Sequence, residues 1–203
     1  MDLLSPASLP LTLRQAVTIQ NLVDGQSLFC QGDVATAFFM LNTGRVRLIR
    51  NTLEERVALL QVARQSDSLG EEALVADSYS CTAIADTESQ VIVYPKPVLL
   101  PTLRDYPELA EDLIAKLAFK IQALYVRLEL QDMRTAHRRV HQYLRYLARS
   151  NDNVITLDSP LKDVATELGF TPETLSRALK RLEQEGSITR SGRSIRLNTS
   201  SVA

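Results

Sequence analysis

Residues 160–184, PLKDVATELGFTPETLSRALKRLEQ, constrain what this chain can fold into more than any other stretch. Leu161, Val164, Ala165 and Leu168 recur at helical spacing. Gly169 ends that face, because glycine takes the left-handed conformation at a helix C-terminus without steric cost. Thr171 is then a cap for a second helix, and Pro172 suits its first turn. Leu175, Ala178, Leu179 and Leu182 supply the second apolar face. Two short helices joined by a glycine-containing turn make a helix-turn-helix, whose second helix fits the major groove of DNA.

The outer face of that second helix carries Glu173, Ser176, Arg177, Lys180 and Arg181. Near its N-terminal end, Glu173 can accept from a cytosine amino group and Arg177 can donate two hydrogen bonds to guanine, with Ser176 as a smaller base contact. Thr171, Lys180 and Arg181 are placed for phosphate oxygens. Glu173 and Arg177, four residues apart, are equally spaced for a surface ion pair of about 0.3 kcal/mol. Downstream, Ser187–Arg190 and Ser194–Leu197 alternate around Ser191-Gly192-Arg193, a hairpin whose Arg190 and Arg193 would meet the DNA backbone as a wing.

Charge follows the same division. Residues 1–106 carry a net charge of −4, residues 107–133 carry −2 and residues 134–203 carry +5, within a chain of net charge −1. A basic third on an otherwise acidic chain is the pattern of a polyanion-binding module joined to a part with another task.

From about residue 19 to 95 the pattern is short strands and turns. Ser27–Cys30, Ala37–Leu41, Arg45–Arg50, Val57–Val62, Thr82–Ala85 and Gln90–Tyr94 are rich in β-branched or aromatic residues. Asp24-Gly25, Gly32-Asp33, Asn42-Thr43-Gly44 and Pro95 punctuate them. Such spacing without long intervening helices predicts an antiparallel barrel or jelly roll. Past Pro107 the period changes. Ile114, Leu117, Ile121, Leu124 and Leu128 step by three and four, which predicts a coiled-coil seam between two copies of the chain, and Leu109, Leu113 and Phe119 broaden it. A further helix spans about Thr135–Arg149, with Val140, Leu144 and Leu147 inward and Arg134, Arg138, Arg139, Arg145 and Arg149 at its rim. A short strand at Val154–Leu157 and a helix start at Asp158-Ser159-Pro160 follow. The expected fold class is α+β: residues 1–106 a β-barrel effector-type domain, 107–133 a coiled-coil dimerisation helix, and 134–203 a winged helix-turn-helix.

That order resembles the cyclic-AMP receptor and fumarate–nitrate-reduction regulator (CRP/FNR) superfamily over about residues 19–199. Asp24-Gly25-Gln26, Gln31-Gly32-Asp33 and Gly44–Leu48 resemble the glycine-punctuated hairpins of its cyclic-nucleotide-binding fold. Glu173-Thr174-Leu175-Ser176-Arg177 is similar to the recognition helix of the fumarate–nitrate-reduction branch. The resemblance implies that Glu173, Ser176 and Arg177 read half-sites of TTGA type. It also implies that double-stranded DNA, a second copy and, for an activator, RNA polymerase are the partners. The polymerase contact would lie on the barrel surface between Asp33 and Arg56.

The effector pocket departs from the family pattern. The resemblance places a cyclic nucleotide on a Gly-Glu pair and on an arginine eleven residues after the glycine. Gly70-Glu71-Glu72 supplies the first, but the arginine position falls on Cys81, followed by Thr82. A cyclic phosphate beside Glu71 without that arginine would be a poorly compensated buried anion, so cyclic AMP is not the expected effector. The iron–sulfur branch needs four cysteines, and this chain has Cys30 and Cys81 only. The expectation is no cofactor, with haem on Cys30, Cys81 or Met40 and thiol sensing at Cys81 as alternatives. His137 and His141 are half a metal site at most and read better as a rim, and no metal site is expected. Glu71 and Glu72 are adjacent rather than opposed across a cleft, and two histidines offer no nucleophile–base set, so an enzyme is not expected. The first residues lack a basic leader and no stretch is long and apolar enough to span a bilayer, which predicts a cytoplasmic protein without a membrane partner. The rival reading is a small-molecule or redox sensor, or a protein-interaction module, that uses the barrel and no longer binds DNA.

Overall fold

The computed structural model of the protein describes residues 3–52, 54, 56–148, 153–156, 161–192 and 194–198. These fall into two compact units, 1–117 and 118–203, that divide within one long helix.

The first unit holds two four-stranded antiparallel sheets. Strands β1 (Thr18–Leu22), β8 (Ser89–Pro95), β3 (Ala37–Thr43) and β6 (Ser68–Leu69) form one in that order. Strands β2 (Ser27–Phe29), β7 (Thr82–Ala85), β4 (Val46–Asn51) and β5 (Val57–Ala63) form the other. The run Ala37-Phe38-Phe39-Met40-Leu41 is apolar throughout because both faces of β3 are covered. Side chains alternate between the faces of a strand. Ala37, Phe39 and Leu41 enter the barrel interior, while Phe38 and Met40 enter a second core outside it. Strand β8 does the same, with Val91 inward and Ile92 and Tyr94 outward. The outer core is closed by Leu3, by Leu13 of helix α1 (Leu11–Ala16), by Leu99 of helix α2 (Lys96–Asp105), and by Leu109 and Leu113 of helix α3 (Pro107–Asp132). The Tyr94 hydroxyl donates to the Leu3 carbonyl.

All six expected strands are present with ends shifted by a residue or two, as are α3 and the hairpin. Helix α2 corrects the reading of Pro95 as simple punctuation. Pro97 lies in its first turn and Pro101 inside it, yet Leu99 and Thr102 are buried and hold the segment helical.

In the second unit, α4 (Ala136–Ala148), α5 (Leu161–Glu167) and α6 (Pro172–Gln184) pack around one core with a three-stranded sheet of order β10–β11–β9. Strands β10 (Ile188–Ser191) and β11 (Ser194–Leu197) form the hairpin, and β9 (Val154–Thr156) pairs with the outer edge of β11. Leu157, the expected helix start at Asp158-Ser159-Pro160, and Arg149 and Arg193 lie outside the described residues. No helix among the described residues is long and apolar enough to cross a membrane.

Candidate nucleic-acid interface

Helix α5 presents Val164 and Ala165 to the core, followed by Leu168 just beyond its end, whereas Leu161, expected on that face, is 37% exposed. Gly169 has a φ of +70°, and the Phe170 amide donates back to the Ala165 carbonyl, so the chain reverses as that glycine requires. Thr171 caps α6 by accepting from the Thr174 amide at 3.2 Å, with Pro172 in the first turn. Leu175, Ala178, Leu179 and Leu182 are all buried. This fixes the helix roll, so Glu173, Ser176, Arg177 and Lys180 stand exposed along one outer face.

The Glu173 carboxyl is held below its ordinary range by the backbone amide at the helix start, then by the Thr171 hydroxyl. It is therefore an acceptor at neutral pH. The charge of Arg177 lowers it too, but as a lesser cause, and the two side chains form no ion pair among the described residues. Arg181, expected on phosphate, instead donates from Nε to Glu185 at 2.7 Å along its own helix. Arg190 is half-buried on the hairpin.

Arg139 is the residue the sequence reading missed. Expected at a rim, it donates to the Leu168 carbonyl at 3.3 Å and to the Met133 carbonyl at 2.8 Å, and its guanidinium lies 4.9 Å from the centre of the Phe170 ring. It thus ties the start of α4 to the turn that sets α6. Its place between His137 and His141 gave no hint, because both acceptors are backbone atoms. His141 is pushed below its ordinary value, first by burial and then by Arg145. No group of three or more metal-type side chains occurs among the described residues.

In the barrel, Gly70 adopts a φ of +68°, and a Cβ there would come within 3.1 Å of the Phe39 and Tyr79 rings. Tyr79 stacks on Phe29 at 4.0 Å, and its phenol donates to the Ala37 carbonyl at 2.7 Å. Burial pushes the phenol pKa up. Cys81, 4% exposed, belongs to the same core, whereas Cys30 is exposed. Glu71 accepts from Ser68 Oγ at 2.5 Å, and Glu72 accepts from Ser80 Oγ at 2.5 Å. Arg50 of β4 donates to the carbonyl and hydroxyl oxygens of that same Ser80, at 2.9 and 2.8 Å. Thr82 Oγ accepts from the Gln31 amide at 2.9 Å. So Glu71 and Glu72, adjacent in sequence, serve different hydroxyls, and Arg50 is the cation beside the Gly-Glu turn.

Comparison with known proteins matches residues 19–106 to the cyclic nucleotide-binding domain and residues 138–199 to the Crp-like helix-turn-helix domain. The nitrogen fixation regulation protein FixK of Azorhizobium caulinodans is 30% identical over 169 residues, which cover 80% of this chain and 67% of that protein. The chain belongs to the CRP/FNR family of DNA-binding transcription regulators. The cyclic AMP receptor protein of Thermus thermophilus is 28% identical over 163 residues, covering 80% of this chain and 75% of that one. The fold also matches FixK2 of Bradyrhizobium japonicum, with a TM-score of 0.69 at 24% identity over 90% of this chain and 93% of that one. Helices α5 and α6 of this CRP/FNR protein lie within the matched helix-turn-helix region.

Proposed function

We propose that this CRP/FNR protein is a homodimer that reads an inverted repeat of TTGA type, with one α6 in each of two successive major grooves about 34 Å apart. The observation that carries this reading is the outer face of α6, where Glu173, Ser176 and Arg177 stand exposed at the capped end of a helix rolled by its buried leucines. Lys180 would meet phosphate. Arg181 would do so only by leaving Glu185, and Thr171 and Arg190 are lesser backbone contacts. The α3 stripe supports the dimer: Ile114, Ile121, Leu124 and Leu128 are between 43% and 65% exposed in the single chain, and burying such a stripe in a second copy is favourable. Leu117, half-buried against the outer core of the first unit, would serve both.

No small effector is needed in this reading, and cyclic AMP is not one. The candidate positions Gly70, Glu71, Glu72, Cys81 and Thr82 are engaged with the barrel itself, and Arg50 is held on Ser80. Control would then rest on the abundance of the protein, and its place of work is the cytoplasm. RNA polymerase would be the further partner if the protein activates, and no enzymatic activity is proposed.

The test is binding of the purified full-length protein, without added ligand, to a duplex with a TTGA-type inverted repeat and to a scrambled duplex at physiological salt. Selective binding, tighter by about 10³-fold or more, is the expected result. Equal weak binding to both would overturn effector-free reading of DNA.

A further inference from the structure

Residues 133–135 join the long helix α3 to α4 and so to the helix-turn-helix. Within the 118–203 unit, apolar packing holds the end of α3 to the helices that read DNA. Leu130 is buried in the core that Leu175 and Leu179 of α6 also enter, and Val126 and Met133 lie against it. Such packing is non-directional, so by itself it tolerates a range of angles between α3 and α6. Arg139, in the first turn of α4, supplies direction, because its two donors form a rigid planar fork. It donates to the Met133 carbonyl at 2.8 Å and to the Leu168 carbonyl at 3.3 Å. Met133 follows the last residue of α3, and Leu168 follows the last residue of α5. The amides of both still close the final turns of those helices, onto the Leu130 carbonyl at 3.3 Å and the Val164 carbonyl at 3.1 Å. One cation thus sits at two helix C-termini, where carbonyls lack partners within the helix and the helix dipole is negative. The guanidinium carbon also lies over the Phe170 ring, 4.9 Å from its centre.

We infer that Arg139 is a positioning residue for the reading of an inverted repeat: it fixes the angle of α6 to α3, and with it the separation and phase of the two reading helices in a dimer. The inference rests on the dimeric reading of DNA proposed above. The apolar stripe of α3 sets how two long helices lie together, but it ends at Leu128. Beyond it, the placement of α6 depends on the linker, the packing of Leu130 and the Arg139 bridge. The roll of α6 has a separate cause in its four buried apolar residues. Base selection within one half-site and placement of the whole reading helix therefore depend on different residues.

One added base pair moves the second half-site by about 3.4 Å and turns it by about 35°. Two rigidly held helices fit one separation. Two helices on loosened junctions fit several, each less tightly, since the junctions must be ordered on binding. A residue that only stabilises the fold behaves otherwise. Its loss lowers the active fraction equally for every duplex and leaves their ratios unchanged.

The first measurement uses no DNA. Full-length protein with Cys30→Ser carries nitroxide labels at Gln122→Cys on α3 and Glu183→Cys on α6, both exposed positions, while Cys81 is buried. An excess of unlabelled chains ensures that each measured pair lies within one chain. Double electron–electron resonance should give one narrow distance distribution for this parent and a broader one for Arg139→Ala. Arg139→Lys should broaden it nearly as much, because an ammonium keeps the charge but not the fork. The second measurement is anisotropy, without labels, on inverted repeats whose half-site separation differs by one base pair either side of the best. The unsubstituted protein should prefer its best separation by about tenfold or more, and Arg139→Ala by about threefold or less. A guanine change inside one half-site should cost both proteins the same factor. Each variant is used at a temperature where its far-ultraviolet circular dichroism equals that of its parent, and Arg139→Lys decides by the same readouts if Arg139→Ala does not fold. An unchanged distance distribution, or affinity lost equally at every separation, would overturn the inference and leave Arg139 a structural residue. If the unsubstituted protein selects no repeat, the proposed reading of DNA fails, and the label distances still decide whether Arg139 fixes α6 to α3.

Discussion

Arg177 is exposed, lies one turn inside the capped end of α6 and is held in no ion pair among the described residues, so its guanidinium is available to a base edge. Replacing it by alanine should remove about 1–3 kcal/mol of discrimination at one guanine per half-site, read by fluorescence anisotropy on matched and scrambled duplexes. Lys180→Ala should instead weaken both duplexes about equally and lower the salt slope by about 1. If the two variants behave alike, Arg177 is a backbone contact. A second residue-scale expectation concerns His141, which is half-buried and pressed by Arg145 and His137, with Glu185 opposing them. Its folded pKa lies below the ordinary 6.5, so the unfolded chain binds the extra proton more readily. The neutral imidazole's contribution is therefore intact above 6.5 and declines as pH falls below it. Thermal melts of the full chain between pH 7.5 and 5.5 should fall more steeply than those of His141→Gln, and parallel curves would remove the histidine from the account.

At the scale of elements, the turn between α5 and α6 depends on a residue outside it. Arg139 gives the Leu168 carbonyl a partner and covers Phe170, so Arg139→Ala should cost about 1–3 kcal/mol in urea denaturation. Arg139→Lys should recover little of it, because one ammonium cannot reach two carbonyls and also lie flat on a ring. The helix-turn-helix itself is legible in the sequence. Every buried position of α6 and the reversal at Gly169 follow from 3.6-residue periodicity and the glycine's allowed φ. Arg139 was not legible, since hydrogen bonds to main-chain carbonyls impose no residue type on their acceptors. Helix α2 was missed for a related reason: its prolines count against a helix locally, and the burial of Leu99 and Thr102 outweighs them only once the outer core exists.

For the whole molecule, the decisive feature is α3, which contributes Leu109 and Leu113 to one core and Leu130 to another while leaving its central stripe uncovered. Leu124→Glu should shift the protein to monomers in sedimentation equilibrium and abolish selective binding of the inverted repeat, while the melting of each unit changes little. A monomer that still bound the full repeat selectively would contradict dimeric reading. The sequence alone determined the order of barrel, long helix and winged helix-turn-helix, because periods of 2 and 3.6 and a shift in charge are properties of neighbours along the chain. It also determined the exposed outer face of α6, because a helix with one apolar stripe has only one outward side. Tertiary structure decided the rest. It set the two cores served by β3, the sharing of Ser80 by Arg50 and Glu72, and the hold of Arg139 on its turn. Each of these joins residues distant in sequence through groups whose spacing leaves no periodic trace.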